Sequence, residues 1–246
     1  MNVEHKKIVI TGGGSGIGLA MAKIFSEKGN QVIITGRNEE KLKKAIQTLK
    51  NTTYVVSDVS KEADVEQLVQ KIKNEHQGID ILINNAGVLT PQGPDEGDDL
   101  LKNARYEMEV NYFSVVRLTQ VLLPLLKESK EAAIVNVASV LSYLPLANVA
   151  TYSASKAALH SYSQSLRTVL GQKGFSIKVF EVFPHFTETE MTEGLDIPMM
   201  SSEAVAQDVL EGLENDLYAI RNGQTKDIYQ MMLKSPEDTL RLINQN

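Results

Sequence analysis

At 246 residues, 42% of them hydrophobic, the chain is long enough for one large α/β domain with a full core. Its net charge of -6 argues against a general nucleic-acid binder, which needs a basic field to displace counterions, and against docking on an anionic membrane surface. The absence of cysteine excludes disulfides, thiolate chemistry and Cys-ligated zinc, and the four histidines lack metal-ligand spacing, so no metal is expected.

Short β-branched runs alternate with longer stretches of helical period. Lys7–Thr11 is predicted as a strand, followed by a glycine turn and a helix over Ile17–Lys28 that Gly29 stops. Gln31–Thr35 is the next strand, Glu39–Lys50 a helix and Thr53–Ser57 a strand. Ser60 is the expected N-cap of a helix reaching about Glu75, and Asp80–Asn84 is a strand whose apolar run implies burial on both faces. Pro91–Asp99 is rich in Pro, Gly and acid and is predicted as a surface loop. A long helix follows over Leu100–Lys127, with Pro124 placed to kink its last turn. Ala132–Ala138 is a strand, Thr151–Leu170 a helix ended by Gly171 or Gly174, and Ile177–Phe183 a strand. Pro184–Met200 is irregular, Ser201–Asn215 a helix and Leu217–Arg221 a short last strand. Gln224–Lys234 and Ser235–Ile243 are helix-like, the second with Pro236 at its first position. The alternation implies a doubly wound parallel sheet of about seven strands, helices on both faces, in a single domain over 1–246. The polar start has no apolar signal-peptide core and no apolar run reaches membrane-spanning length, so a cytoplasmic protein is expected.

The segment ITGGGSGIGLA sits where the first strand hands over to the first helix. Glycines there let the backbone approach a pyrophosphate, whose charge meets free N–H groups at the helix start. Tyr152 and Lys156 are four residues apart and so share one helix face, where an ammonium favours the phenolate of a neighbouring tyrosine. Ser139 ends a strand at the carboxyl edge of the sheet, where ligands sit in such folds.

With these segments in this order, the chain resembles the short-chain dehydrogenase/reductases over nearly its whole length. Gly12, Gly14, Ser15, Gly16, Ile17 and Gly18 fall in a TGxxxGIG turn. Asp58, with Val59, matches the adenine-contacting acid, and Asn84-Asn85-Ala86-Gly87 matches NNAG. Asn111, Ser139, Tyr152 and Lys156 match the family's catalytic set. The resemblance implies a Rossmann-type fold and carbonyl–alcohol chemistry on a small-molecule substrate. Tyr152 is the implied proton carrier, Ser139 holds the substrate oxygen, and Asn111 braces a water beside Lys156. It also implies pairing through the two long helices, hence a homodimer, with a tetramer as the larger alternative. The family's Pro-Gly pair is Pro184-His185 here, followed by Phe186 and by Thr189 in the position of the Thr near the nicotinamide.

No carboxylate ends the second strand to grip a ribose 2′-hydroxyl; Arg37 stands there instead, suited to a 2′-phosphate. NADP(H) is therefore the expected cofactor, NAD the alternative, although relatives that prefer NADP often carry a second basic residue where this chain has Ser15. Val140, Leu141, Tyr143, Leu146, His185, Met191 and Met199 are the expected pocket, mainly apolar, with 187–200 as the substrate loop. The tail over 222–246, with its AIRNGQTK run, resembles the DltE-like subgroup, named for association with D-alanylation of teichoic acids. Ester formation needs no redox chemistry and is not the expected reaction. The tail's apolar residues are expected against the core or near a subunit interface. A regulator that binds NADP(H) without turnover is the rival reading, but such proteins usually lose the Tyr or Lys.

Overall fold

The computed structural model describes residues 1–90 and 100–245; the loop expected over 91–99 lies outside them. Among the described residues, seven strands form one parallel sheet: β1 (Lys7–Thr11), β2 (Gln31–Gly36), β3 (Thr52–Val56), β4 (Ile81–Asn84), β5 (Ala132–Val137), β6 (Ile177–Phe183) and β7 (Ala219–Arg221). Their order is β3-β2-β1-β4-β5-β6-β7. The chain runs outward from β1 to one edge, crosses back and runs to the other, so the carboxyl ends of β1 and β4 meet at the reversal, where doubly wound sheets bind ligands.

Alternating side chains divide the core. Ile8 and Ile10 of β1 enter one cluster and Val9 the other. The first cluster is completed by α1 (Gly16–Glu27), α2 (Glu39–Ile46) and α7 (Ser202–Glu214), the second by α3 (Glu62–Lys71), α5 (Ser114–Leu126) and α6 (Ala150–Gln172). Burial on both faces explains the near-continuous apolar runs, and every residue of β5 is buried. Between sheet and helix runs a chain of buried amides. Asn84 Nδ2 donates to Asn136 Oδ1 at 2.8 Å, and Asn136 Nδ2 donates to Ser163 Oγ at 2.8 Å.

Several local expectations change. Lys61, not Ser60, occupies the N-cap of α3, because the Ser60 hydroxyl donates to Asp58 Oδ1 at 2.7 Å instead. α2 stops at Ile46, and α6 runs through Gly171 to Gln172 before Gly174 takes the left-handed conformation. The long helix is not continuous: α4 (Leu100–Met108) and α5 are joined by a π-helical turn over Glu109–Phe113. Pro124 lies inside α5. Ser201 caps α7 by accepting from the Ala204 N–H at 3.1 Å, as its sequence implies. The tail forms α8 (Thr225–Lys234) and α9 (Pro236–Ile243), yet Met231, Leu233, Leu240 and Leu242 are exposed rather than against the core. No helix among the described residues is long and apolar enough to cross a membrane.

Candidate active site

The glycine turn is held by the segment after β4. Thr11 Oγ1 accepts from the Asn85 and Ala86 N–H groups, both at 3.0 Å, and Asn85 Nδ2 donates to the Thr11 carbonyl at 2.9 Å. Gly12 has φ +66°, and a Cβ on Gly18 would lie 2.2 Å from the Gly12 carbonyl oxygen and 2.5 Å from Asn85 Nδ2. The turn therefore demands glycine at both positions and leaves a bare backbone cradle beside the start of α1. That cradle fits a dinucleotide pyrophosphate. Ser15 sits at the N-cap of α1 with its hydroxyl unused for capping, and Ile17 packs on the first core cluster.

At the end of β2, Arg37 is exposed and donates to the Tyr106 hydroxyl at 2.6 Å, not to Glu39 or Glu40. Lys41, which sequence reading missed, lies beside Gly14: a Cβ on that glycine would be 3.6 Å from the Lys41 Cβ. Its ammonium pairs with Glu190 of the 187–200 loop at 2.6 Å. Thr189 approaches the glycine turn from the same loop, its Cγ2 3.0 Å from where a Gly16 Cβ would be. This loop segment thus closes over the cradle. Asp58 accepts from both the backbone and hydroxyl of Ser60, while Val59 is buried in the second core cluster.

Ser139, Tyr152 and Lys156 converge at the carboxyl end of β5, all three buried. Ser139 Oγ accepts from the Leu141 N–H at 3.1 Å, which leaves its proton to give away. Lys156 Nζ donates to the Val137 carbonyl at 2.8 Å and stands 5.7 Å from the centre of the Tyr152 ring. Burial pushes the Tyr152 phenol up to about 12, against the opposing hydrogen bond to Ser139. Burial also pushes the Lys156 ammonium down to about 8.

Asn111 lies in the π turn, a distortion that often marks functional positions. Its carboxamide accepts from the Val88 N–H at 2.8 Å and donates to the Val88 carbonyl and Ser155 Oγ, both at 2.9 Å. A Cβ on Gly87 would be 3.4 Å from Asn111 Oδ1 and 3.5 Å from Lys156 Nζ, so these three groups meet in one place. Pro184 accepts from the Val140 N–H at 3.1 Å, and His185, its pKa lowered by burial, packs edge-on against Phe186.

Around Tyr152 gather Val140, Leu141 and Leu146, as expected, together with Leu89, Val149 and Ile228. Tyr143 turns away to stack on Phe183, with ring centroids 4.6 Å apart, and Met191 is exposed. Ile228 comes from α8, so the tail walls the site. Asn244 fixes that wall by accepting from the Ala147 N–H at 2.8 Å and donating to the Pro145 carbonyl at 3.1 Å. These contacts span about a hundred positions and leave no local signal in the sequence.

Residues 6–198 match the family model described as short chain dehydrogenase, and the chain belongs to that family of oxidoreductases, which act on CH–OH donors. It is 36% identical over 234 residues to the uncharacterized oxidoreductase DltE of Bacillus subtilis, covering 93% of this chain and 92% of that one. Among solved structures it is similar to a short chain dehydrogenase from Burkholderia cenocepacia in complex with NADP, with a TM-score of 0.86, 28% identity and 98% of each chain covered. It also matches a 3-ketoacyl-(acyl-carrier-protein) reductase from Brucella melitensis complexed with NADH, with a TM-score of 0.81, 27% identity, and 91% of this chain and 100% of that one covered.

Proposed function

We propose that the protein is an NADP(H)-dependent oxidoreductase that interconverts a carbonyl and a secondary alcohol, with Tyr152 as the general acid/base. The observation that carries this is the convergence of buried Ser139, Tyr152 and Lys156 beside a backbone cradle suited to a dinucleotide. When bound, the cofactor supplies or accepts the hydride. The chain's own residues do the rest. The Ser139 hydroxyl donates to the substrate oxygen and fixes its direction. Tyr152, held protonated by burial, gives its proton to that oxygen during reduction and takes it back during oxidation. Lys156 stabilises the phenolate left behind. Asn111 ties the Val88 backbone to Ser155, the residue before Lys156, beside which it would brace a water.

Arg37 offers positive charge to a 2′-phosphate, which supports NADP(H) over NAD(H). Val59, Asn85, Ala86, Gly87, Pro184, Phe186 and Thr189 would line the rest of the cofactor. The 187–200 loop and the 222–246 tail bound the substrate pocket. We place the enzyme in the cytoplasm as a homodimer.

Tyr152→Phe should lower kcat by at least about a thousandfold while leaving the fluorescence-measured NADPH affinity within about twofold. Turnover close to wild type in that variant would overturn the mechanism. Side-by-side titration with NADPH and NADH checks the cofactor. The wild type should favour NADPH, and Arg37→Ala should weaken NADPH by roughly tenfold with little change for NADH, as expected for one charge-assisted contact. Equal loss for both nucleotides would make Arg37 a bystander.

A further inference from the structure

Glu107 on α4 is completely buried, yet nothing in the mechanism above uses it. A buried carboxylate is costly unless donors surround it. Here three do. Glu107 Oε1 accepts from the Thr90 N–H at 2.8 Å and from Thr90 Oγ1 at 2.6 Å, and Oε2 accepts from Thr151 Oγ1 at 2.5 Å. Thr90 ends the segment that begins at the NNAG turn and passes Val88, the partner of Asn111. Thr151 immediately precedes Tyr152 at the start of α6. One side chain therefore joins the strand-end segment that lines the cradle to the helix turn that carries the phenol.

We propose that Glu107 is a positioning residue for the reaction: it locks the first turn of α6, which carries Tyr152, to the 88–90 segment that holds Asn111. This rests on the oxidoreductase reading above. Burial raises the Tyr152 pKa most, the hydrogen bond to Ser139 lowers it, and Glu107 adds a smaller raising effect. Among the described residues, the other charged groups near this position are Lys156, one turn along α6, exposed Lys102 and Arg105 on α4, and half-buried Glu109 on the π turn, the last paired with Arg117 at 2.9 Å. His160, further along α6, is engaged by Glu181 at 2.6 Å. The 88–90 segment carries no charge. A carboxylate that only braced the fold would hold the same three donors, but its removal would leave the proton chemistry of Tyr152 unmoved.

The test is the pH dependence of kcat/KM for NADPH-driven reduction of a carbonyl panel by Glu107→Gln, which keeps an acceptor for Thr90 and loses the charge. Activity falls at alkaline pH as the Tyr152–Lys156 pair gives up a proton, and without the Glu107 charge that proton leaves more easily. The alkaline limb should therefore move down by roughly half a pH unit or more, with NADPH affinity within about twofold. A limb that stays in place overturns the inference and leaves Glu107 a brace. If Glu107→Gln does not fold, Thr151→Val and Thr151→Ser replace it. Valine should lower kcat several-fold and serine restore it, and equal kcat in both overturns the inference. A wild type that reduces no carbonyl sinks the proposed function and this inference together, whereas turnover with an unmoved limb sinks this inference alone.

Discussion

Burying the Lys156 ammonium works against folding. Its pKa, lowered from 10.5 to about 8 by burial, lies below the unfolded value. The penalty is therefore fully present below about pH 8 and fades as pH rises from there toward 10.5, where the unfolded chain also loses the proton. It amounts to at most roughly 3 kcal/mol, less whatever the hydrogen bond to Val137 returns. Lys156→Met should abolish turnover yet raise the Tm of the cofactor-free protein at pH 7 by a few degrees, with the gain shrinking by pH 10. Thermal melts at the two pH values check this, and an unchanged or lower Tm at pH 7 would show that the ammonium is accommodated without cost. The residues that the fold brings together at the candidate site were legible one by one because their signals are short: a glycine turn, a Tyr-Lys pair on one helix face, a serine at a strand end. Glu107 was not. On an amphipathic helix, a lone acid between Tyr106 and Met108 looks like any solvated charge, and only the folded chain turns it inward.

At the scale of elements, the strands were readable almost to the residue, because burial on both faces demands unbroken apolar runs. Helix ends were less so. Ser60 looks like a cap, but Asp58 competes for its hydroxyl two residues away, a contest between two side chains that composition does not settle. The π turn at Glu109–Phe113 hides within a sequence whose apolar spacing suits a plain α-helix, and it matters because it delivers Asn111 to Val88. The tail was read as helices packed on the core or near a subunit interface. Its contacts are more specific than that: Ile228 meets the pocket cluster and Asn244 grips the 145–147 backbone, while several of its apolar side chains stay in solvent.

At the scale of the whole molecule, some of the exposed apolar side chains fall on the long helices. Leu101, Tyr106 and Phe113 lie on α4 and the π turn, and Val169 on α6, the two helical stretches through which the homodimer is proposed to form. Sedimentation equilibrium at micromolar protein should give twice the chain mass, and Phe113→Glu should give the single-chain mass with the fold intact by circular dichroism. A monomeric wild type would instead leave that face for another partner.

The amides of Asn84 and Asn136 face each other in register across β4 and β5. A slip of two residues would keep every apolar side chain on its proper face, and so would cost little by hydrophobic burial alone. It would, however, part the amides by about 7 Å and strand them in the core. The pair thus acts as a proofreading key for sheet assembly. It makes a slip that a purely apolar sheet would tolerate expensive, and so favours the register in which the strand ends bearing Asn85 and Ser139 finish level with each other.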